Sequence, residues 1–495
     1  MLLTILSFVT LLLLLFLIIG WYNNNYWKKR GVVFYNGNVL NSILYDFFTG
    51  KKPFFIHLHD IYKKYPNDPA VAVGLFSIPV LYVKDPTNIQ YILSSEFNSF
   101  NHRGIETNES DVLAKNTLFQ NGKIWKLLRE NMTPLFTSSK LKNMFYIMDK
   151  SAQDFVKYLK NDRELRQYNT YQKISMFCCA AICGTVFGIG TDSIFDLPFL
   201  KIAQKSLKST LKINMRFALS TLSKTLFNKF KIHFFKEYEE FFIEAIKQVI
   251  HQREQDNIKK HDFVDIWLAL HKSGKLKDPD NGFELETTNE LLAAQAFSFF
   301  LAGVEPTATA MFATLFELAK HPDIQQNIHA EIDSVFENHN GSLTYEIISE
   351  MVYLDMAIKE AMRLHPSIAT LSRRCVQNTV LPTGNIVVEK GTKIFIPVYE
   401  LHHDEKYFPD PESYKPERFL RENKHEILEF TYLPFGKGNR TCIGMQYANM
   451  QIKTGLVHML RHFTVHTDIH QGKHKYLKHL IQLRLDHIDI KFLRR

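Results

Sequence analysis

The feature that most constrains the fold is a long segment that reads as a helix without a polar face. Apolar residues recur at three- and four-residue steps through most of the chain, which predicts a mainly α protein. Within residues 287–320, Thr287 and Glu290 fit a capping box that would start a helix, and residues 291–301 are apolar on nearly every side. Because such a helix is stable only when other elements surround it, we expect it to cross the centre of the fold.

Two stretches favour strands instead of helices. One covers residues 71–83, where Pro79 interrupts the pattern, and the other covers residues 380–397, where two glycines mark turns. No repeat or composition break divides residues 41–495, and 45% of the 495 residues are apolar, which is enough for one large core. The sequence therefore predicts one domain over residues 41–495 that is mainly α with a small β part.

Residues 1–20 carry no charged side chain and are dominated by Leu, Ile and Phe. As a helix they would span about 30 Å, the thickness of a bilayer core. Aromatic residues and then Lys28, Lys29 and Arg30 follow, which places the remaining chain on the cytoplasmic side. We predict an N-terminal transmembrane signal anchor over residues 1–20 and a linker over residues 21–40. A cleaved signal peptide is the alternative, but no basic residue precedes the run and no A-x-A site follows it.

Net charge and cysteine usage exclude several classes of protein. A charge of +9 suits an anionic membrane face or an acidic protein partner, whereas no basic run or zinc-finger spacing indicates nucleic-acid binding. The five cysteines are sparse and odd in number, which argues against a disulfide framework and for a reducing compartment.

One cysteine lies in a loop with unusual chemistry. Cys442 is flanked by Gly436, Gly438 and Gly444, and glycines allow a tight loop that can lie flat against a planar ligand. A helix is predicted to begin at Met445, so the helix dipole is expected to lower the pKa of the thiol. A buried structural cysteine in a glycine turn is the alternative interpretation of the same residue types.

The full spacing of this loop is Phe435-x-x-Gly438-x-Arg440-x-Cys442-x-Gly444, and it resembles the haem-binding signature of the cytochromes P450. The resemblance implies the mainly α P450 fold, with residues 41–495 as the haem-thiolate catalytic domain. It also implies haem b (iron protoporphyrin IX) as cofactor, with the Cys442 thiolate as the metal ligand. The loop residues assigned to the cofactor are Phe435, Gly436, Arg440, Cys442 and Gly444.

Further motifs resemble this family along nearly the whole chain. Trp125-x-x-x-Arg129 and Arg373 match positions that bind the haem propionates, together with Arg440. Glu360-x-x-Arg363 and Arg418, in the sequence Pro-Glu-Arg-Phe, match a buried structural cluster behind the haem. Finer matches, such as residues 136–142, are similar to the insect xenobiotic-metabolising branch.

The segment Ala302-Gly303-Val304-Glu305-Pro306-Thr307 resembles the oxygen-binding part of the family's central helix, in which a threonine usually stands where this chain has Pro306. Because proline has no N–H, we expect the helix to open there and the free Ala302 carbonyl to hold a water. Glu305, Thr307 and this water would form the proton relay. A proline kink without any proton role is the alternative.

The resemblance implies a monooxygenase that inserts one atom of O2 into a lipophilic substrate, either a xenobiotic or an endogenous lipid- or hormone-like compound. Electrons would come from NADPH through cytochrome P450 reductase, with cytochrome b5 as a second donor, at the endoplasmic reticulum membrane. An isomerase or dehydratase that needs no O2, and a haem-binding protein without turnover, are the alternatives. We expect the substrate to contact Ser298, Leu301, Ile368, Ala369 and Thr370. We expect the reductase to contact Lys123, Lys126, Lys140 and Lys437.

Overall fold

The computed structural model describes residues 21–35, 54–75, 78–160, 169–190, 198–206, 211–222, 224–280, 282–469, 475–477, 482–486 and 488–495, with five single positions before residue 21. Most of the predicted anchor (residues 1–20) and the end of the predicted linker (residues 36–40) lie outside the described residues. The membrane span therefore stays a prediction.

The described chain is mainly α, as the periodicity predicted. Its α-helices are Phe54–Lys64 (α1), Pro86–Gln90 (α2), Gly122–Met132 (α3), Ser138–Lys160 (α4), Thr170–Phe187 (α5), Pro198–Ser206 (α6), Leu211–Leu222 (α7), Lys224–Lys229 (α8), Glu239–Asp256 (α9), Phe263–Ser273 (α10), Asn289–Lys320 (α11), Pro322–Asn338 (α12), Val352–Leu364 (α13), Val398–His402 (α14) and Met445–His462 (α15). A π-helical turn, Tyr91–Ser95, follows α2 directly.

Five of the twelve strands in the described residues lie in the two stretches predicted from sequence, and the other seven were not predicted. The strands are Ala70–Leu75 (β1), Ile78–Val83 (β2), Lys275–Lys277 (β3), Glu284–Glu286 (β4), Thr370–Arg374 (β5), Thr379–Leu381 (β6), Ile386–Val388 (β7), Lys393–Pro397 (β8), Phe463–His466 (β9), Lys475–Tyr476 (β10), Leu485–Asp486 (β11) and Lys491–Arg494 (β12). The first predicted strand is in fact the antiparallel hairpin β1–β2, with Pro79 inside β2.

The largest sheet has the strand order β1-β2-β8-β5. Strand β8 runs parallel to β2 and antiparallel to β5, with Arg373 opposite Ile394. An isolated bridge between His102 and Arg374 adds the segment before α3 to the outer edge of β5. Two arginines that are distant in sequence, Arg103 and Arg373, are thereby brought close together.

Helix α11 is the buried central helix that the sequence predicted, with 32 residues. Its start differs from the expectation: Thr288 is the N-cap and accepts a hydrogen bond from the Leu291 amide, whereas the Thr287 hydroxyl donates to the Leu270 carbonyl. The capping box predicted from Thr287 and Glu290 is therefore wrong by one residue. The physical reason is that two adjacent threonines offer the same cap chemistry, and the contact with α10 selects between them.

Pro306 also behaves differently from the expectation, because α11 stays helical through it. The prediction that the helix opens at this point is wrong. A proline removes only one backbone hydrogen bond, and the packing of a helix this deeply buried holds the remaining turns together. Among the described residues, α11 is also the one helix long and apolar enough to span a membrane, yet 78% of its most apolar window is buried in the protein.

The packing of α5 against α11 explains why a glycine, Gly303, stands at the centre of α11. Helix α5 is also apolar on all sides and packs against α11, and a Cβ at Gly303 would lie 2.7 Å from the Ile182 side chain. The glycine therefore lets two buried helices approach closely. This close packing fixes the position of the Ala302-to-Thr307 turn relative to α5.

Candidate active site

The Cys442 loop is shaped by two glycines in the left-handed region. Gly436 has φ +67° and Gly438 has φ +74°, and a Cβ at Gly438 would collide with the Leu93 carbonyl of the π-helical turn. The loop closes through a 2.9 Å hydrogen bond from the Cys442 amide to the Phe435 carbonyl. The glycines are thus required by backbone geometry, in agreement with the tight loop expected from the sequence.

The Cys442 side chain keeps accessible surface although protein atoms enclose it almost completely. The space beside it is a cleft of about 430 Å³ lined by Arg129, Phe136, Ile443 and Gln446, among others. Burial raises the pKa of the Cys442 thiol, while the Gly444 amide and the nearby arginines act in the opposite direction. The lowered pKa expected from the sequence is therefore wrong for the protein alone, because desolvation outweighs the Gly444 hydrogen bond and the arginine charges.

Four arginines converge on this loop from four separate segments. Arg103 precedes α3, Arg129 lies on α3, Arg373 lies on β5, and Arg440 lies two residues before Cys442. Burial and repulsion among these guanidinium groups lower the pKa of Arg440 to about 8 and that of Arg373 to about 9. Such mutual repulsion is costly unless anions lie between the groups.

Several nitrogens of this cluster have no hydrogen-bond partner within the described part of the chain. They are Arg103 Nε, Arg373 Nε, Arg440 Nε and Arg440 Nη1. Buried guanidinium nitrogens without acceptors indicate an anionic ligand at this place, since native proteins rarely leave such donors unpaired. A planar ligand with two carboxylates, next to an accessible thiol, fits both observations. The residues therefore suit haem, with Cys442 as the iron ligand and the arginines on the propionates.

The predicted propionate residues are found together, and one more joins them. The Arg440 guanidinium lies 4.2 Å from the centre of the Trp125 ring, and Arg129 donates to the Thr441 carbonyl at 2.9 Å. Sequence reasoning missed Arg103, which no motif marks. The one signal in the sequence is that Arg103 stands directly before a glycine. In the structure this residue, Gly104, has φ +78° and the chain turns there.

A patch of accessible residues interrupts the buried surface of α11. Ala302 is exposed, and Leu301, Gly303 and Pro306 are partly exposed, whereas residues 291–300 and 307–319 are buried. Because the helix is buried on both sides of this patch, the patch faces an internal cavity. Ala302 and Pro306 are four residues apart and share one helix face.

The other two predicted catalytic residues lie away from that face. The Glu305 carboxylate accepts a 2.5 Å hydrogen bond from the Tyr171 hydroxyl and lies 3.4 Å from Arg484 Nη1. Burial raises the pKa of Glu305, and Arg484 and Tyr171 oppose the shift. Thr307 is only 2% exposed. The structure therefore brings Glu305 together with Tyr171 and Arg484 instead of with Ala302.

Helix α13 carries a fully buried ion pair behind the Cys442 loop. Glu360 accepts from Arg363 at 2.8 and 2.9 Å, and both side chains are inaccessible. Arg418 adds a 3.2 Å bond to Glu360, and Arg363 also donates to the His402 carbonyl at 2.7 Å. These contacts join α13, α14 and the Pro416–Phe419 turn, which is the arrangement expected from the motif.

The predicted substrate residues are only partly brought together. Ser298 is buried, and its hydroxyl donates to the Gln295 carbonyl at 2.8 Å. Leu301 belongs to the accessible patch of α11. Ile368 is 38% exposed and forms an isolated bridge with Gln482, while Ala369 is buried. The Thr370 hydroxyl at the start of β5 has no partner within the described ranges.

Comparisons with known proteins agree with this geometry. The family model described as Cytochrome P450 matches residues 31–492. The chain is 34% identical over 464 residues to Cytochrome P450 6k1 of Blattella germanica, covering 89% of this chain and 87% of the relative. It is 35% identical over 453 residues to Cytochrome P450 6j1 of the same insect, with the same coverage. Probable cytochrome P450 6d5 of Drosophila melanogaster is 32% identical over 454 residues, covering 89% of each chain.

Proposed function

Because the chain belongs to the cytochrome P450 family and is a haem-thiolate monooxygenase, we propose that it oxidises a lipophilic xenobiotic, or an endogenous compound of similar polarity, with electrons from NADPH. The observation that carries this proposal is an accessible, enclosed Cys442 beside an arginine cluster in which Arg103, Arg373 and Arg440 keep buried nitrogens without a hydrogen-bond partner among the described residues. The insect relatives support the xenobiotic class of substrate.

The haem, once bound, supplies the iron at which O2 is activated. The protein residues do the rest. Cys442 is held in its loop by the hydrogen bond to Phe435, and the Gly444 amide points at its sulfur. The accessible patch at Ala302 and Pro306 has no charged side chain, which suits an apolar substrate. Of the predicted substrate residues, we propose Leu301, Ile368 and Thr370 as the ones that contact substrate.

Glu305 and Thr307 remain our candidates for proton delivery. Glu305 lies 3.4 Å from Arg484, whose side chain is 23% exposed, so only one side chain separates the carboxyl from solvent on that side. Burial raises the pKa of Glu305, so its carboxyl takes up a proton more readily than that of an exposed glutamate. Glu305 therefore acts as a buried reservoir rather than as a group in contact with the substrate.

We propose cytochrome P450 reductase as the electron donor, with cytochrome b5 as a second donor, at the cytoplasmic face of the endoplasmic reticulum. The net charge of +9 supports an acidic partner, and the uncharged residues 1–20 support membrane attachment. Expression with and without residues 1–20, followed by membrane fractionation, tests the attachment. Recovery of both proteins in the soluble fraction would contradict it.

A CO-difference spectrum of the reduced protein tests the haem-thiolate site. We expect the thiolate absorption band from the unaltered protein and its loss in Cys442→Ser. The buried Cys375→Ser is the matched control, because it also removes one thiol and that thiol hydrogen-bonds to the Gln377 carbonyl. Retention of the band in Cys442→Ser would overturn the proposal.

Turnover is tested with reconstituted reductase, NADPH and a lipophilic probe such as 7-ethoxycoumarin under labelled O2. We expect O-deethylation to place one labelled oxygen atom in the acetaldehyde, which is reduced at once to ethanol so that the label does not exchange with water. The phenolic oxygen of 7-hydroxycoumarin comes from the substrate and should stay unlabelled, and NADPH consumption should depend on O2.

One observation favours a second candidate function. The exposed face of α11 presents Pro306 where a hydroxyl is usual, which suits an isomerase or dehydratase that needs no proton delivery to O2. Substrate conversion under nitrogen without NADPH would support this second function and contradict the first.

A further inference from the structure

The exposed face of α11 carries no side-chain hydroxyl of its own. Ala302 and Pro306 make up the accessible positions of that face, together with parts of Leu301 and Gly303. The nearest helix hydroxyls are buried or engaged: Thr307 is 2% exposed, Ser298 donates to the Gln295 carbonyl, and Thr309 contacts the Tyr171 hydroxyl at 3.3 Å. A water held at this face must therefore find its partners elsewhere.

The turn at Pro306 offers two such partners, one backbone carbonyl of α11 and one hydroxyl from outside the helix. Since proline has no N–H, the Ala302 carbonyl loses its helical donor and keeps a free lone pair on the exposed face. One turn further on, the Pro306 carbonyl accepts a 3.1 Å hydrogen bond from the Ser367 hydroxyl, which comes from outside the helix.

Ser367 is held firmly in this position. It follows Pro366 at the end of α13, and its carbonyl accepts from the Leu483 amide at 3.0 Å. The side chain is partly exposed, and the next residue, Ile368, is among the exposed apolar residues. A hydroxyl has one proton to donate and two lone pairs that accept, so donation to Pro306 leaves Ser367 free to accept from water.

We propose that Ser367 is the positioning residue that replaces the missing hydroxyl of α11: its Oγ and the Ala302 carbonyl hold a water at the Pro306 turn that carries protons to the site of O2 reduction. The proposal rests on the monooxygenase function and adds the group that orders water there. Ser367 keeps its proton throughout, and the protons that reach the site come from solvent.

The test compares Ser367→Ala with Ser367→Thr, which keeps the hydroxyl. The readouts are the fraction of NADPH electrons released as H2O2 and the solvent isotope effect on NADPH consumption, measured with reductase and 7-ethoxycoumarin. Because one hydrogen bond is worth about 1 kcal/mol, we expect Ser367→Ala to raise the ratio of peroxide to product by about fivefold. Ser367→Thr should stay near the unaltered protein.

Two further variants keep the result decisive. Pro306→Thr in the Ser367→Ala background returns a hydroxyl to the helix, and we expect it to restore coupling. Thr314→Val is the matched control, because its hydroxyl is buried on the same helix and donates only to the Ala310 carbonyl.

A Ser367→Ala protein with an unchanged peroxide fraction and isotope effect would overturn the proposal. Uncoupling in Thr307→Val but not in Ser367→Ala would also overturn it, by assigning the role to Thr307. If Ser367→Ala does not fold, Ser367→Cys, a weaker hydrogen-bonding group, must give intermediate uncoupling. Failure of the proposed function itself is distinguishable, since the unaltered protein would then consume no NADPH in an O2-dependent way.

Discussion

At the scale of single residues, two sites with buried ionisable side chains are unusual. Glu400 on α14 is fully buried, and neither carboxylate oxygen has a hydrogen-bond partner among the described residues, although the Tyr82 hydroxyl is nearby. The other case is the arginine cluster around Cys442. Both store unfavourable electrostatic energy, so their removal has effects whose sign can be stated in advance.

Glu400→Gln should stabilise the protein at neutral and alkaline pH. Burial raises the pKa of Glu400 to about 8, far above the value of an exposed glutamate. Between about pH 4.5 and 8 unfolding therefore releases a proton, and stability falls as pH rises through that window. We expect Glu400→Gln to flatten this slope and to add roughly 4 kcal/mol at pH 8, measured by urea unfolding from pH 5 to 8.

The exposed Glu405, five residues further on, supplies the control variant Glu405→Gln, which should keep the slope of the unaltered protein. A Glu400→Gln protein with an unchanged slope would mean that the carboxyl is charged and paired in the folded state.

Arg103→Gln should change the haem-free and haem-bound proteins in opposite directions. Repulsion within the cluster falls when one guanidinium is removed, so the haem-free protein should gain about 1 kcal/mol of stability. Haem should dissociate about tenfold faster, because one charge-assisted hydrogen bond to a propionate is lost. Urea unfolding and haem transfer to an acceptor globin measure the two effects. Arg421→Gln, at an exposed site, should change neither. A loss of stability in the haem-free protein would contradict the argument.

Some residues of these sites could be assigned from the sequence and others could not, and the difference has a physical reason. Arg129, Arg373 and Arg440 lie in motifs, so they could be assigned before the fold was known. Arg103 reaches the cluster only because its segment pairs with the edge of β5. Glu400 could not be identified, because an isolated glutamate in the sequence carries no sign of whether it will be buried.

At the scale of elements, the C-terminal hairpin β10–β11 is tied to the core by polar contacts. Arg484, directly before β11, contacts Glu305 on α11 and lies over the Tyr171 ring at 4.2 Å. At the other strand, the Tyr476 hydroxyl contacts His365 at 3.0 Å, and His365 contacts the buried Glu317 at 2.7 Å. The two strands are therefore held against α11 at two places, Glu305 directly and Glu317 through His365.

Arg484→Met should destabilise the protein by roughly 3 kcal/mol, because it leaves Glu305 buried beside Tyr171 without a cation. The double variant Glu305→Gln/Arg484→Met should recover most of this loss, since the remaining amide is neutral. Urea unfolding of the four proteins of this cycle measures the coupling. If the two single losses simply add, Arg484 and Glu305 do not interact in the folded protein.

Element-level prediction succeeded where one residue pattern has one structural solution. The apolar run of α11 could only be a buried helix, and the Glu360–Arg363 pair could only be placed on one face of α13. It failed where packing decides between local alternatives. Pro306 does not open α11, and the stretch of residues 71–83 folds back as a hairpin, because tertiary contacts compensate for the local disruption in each case.

At the scale of the whole molecule, net charge does not identify a docking surface, since many of its lysines are neutralised. Lys437 is paired with Glu429 at 2.9 Å, and Lys126 is paired with Asp280 at 2.9 Å. Lys123 and Lys140 are exposed and form no ion pair with the part of the chain that the structure describes. The four lysines predicted to bind the reductase therefore differ in how much unpaired positive charge they present.

Charge reversal at Lys123 and Lys140 should slow reduction by the reductase more than reversal at Lys126 and Lys437. The free ammonium groups contribute fully to long-range attraction, whereas the paired ones are already partly neutralised. We expect about a fivefold lower rate at low ionic strength for Lys123→Glu/Lys140→Glu, a difference that disappears in high salt. Stopped-flow reduction under CO measures it. Equal effects of the two double variants would contradict the distinction.

The strands that pair in the mixed sheet are synthesised at widely separated times. Its first two strands end at Val83, and their partner strands do not begin until Thr370, about 290 residues later. At ordinary translation rates the ribosome needs roughly 15–60 s to cover that distance. During this interval the edge of β2 that will receive β8 is open to other chains. A nascent polypeptide of this design therefore depends on chaperones, or on tethering at a membrane that spaces the chains apart, until its last quarter has emerged.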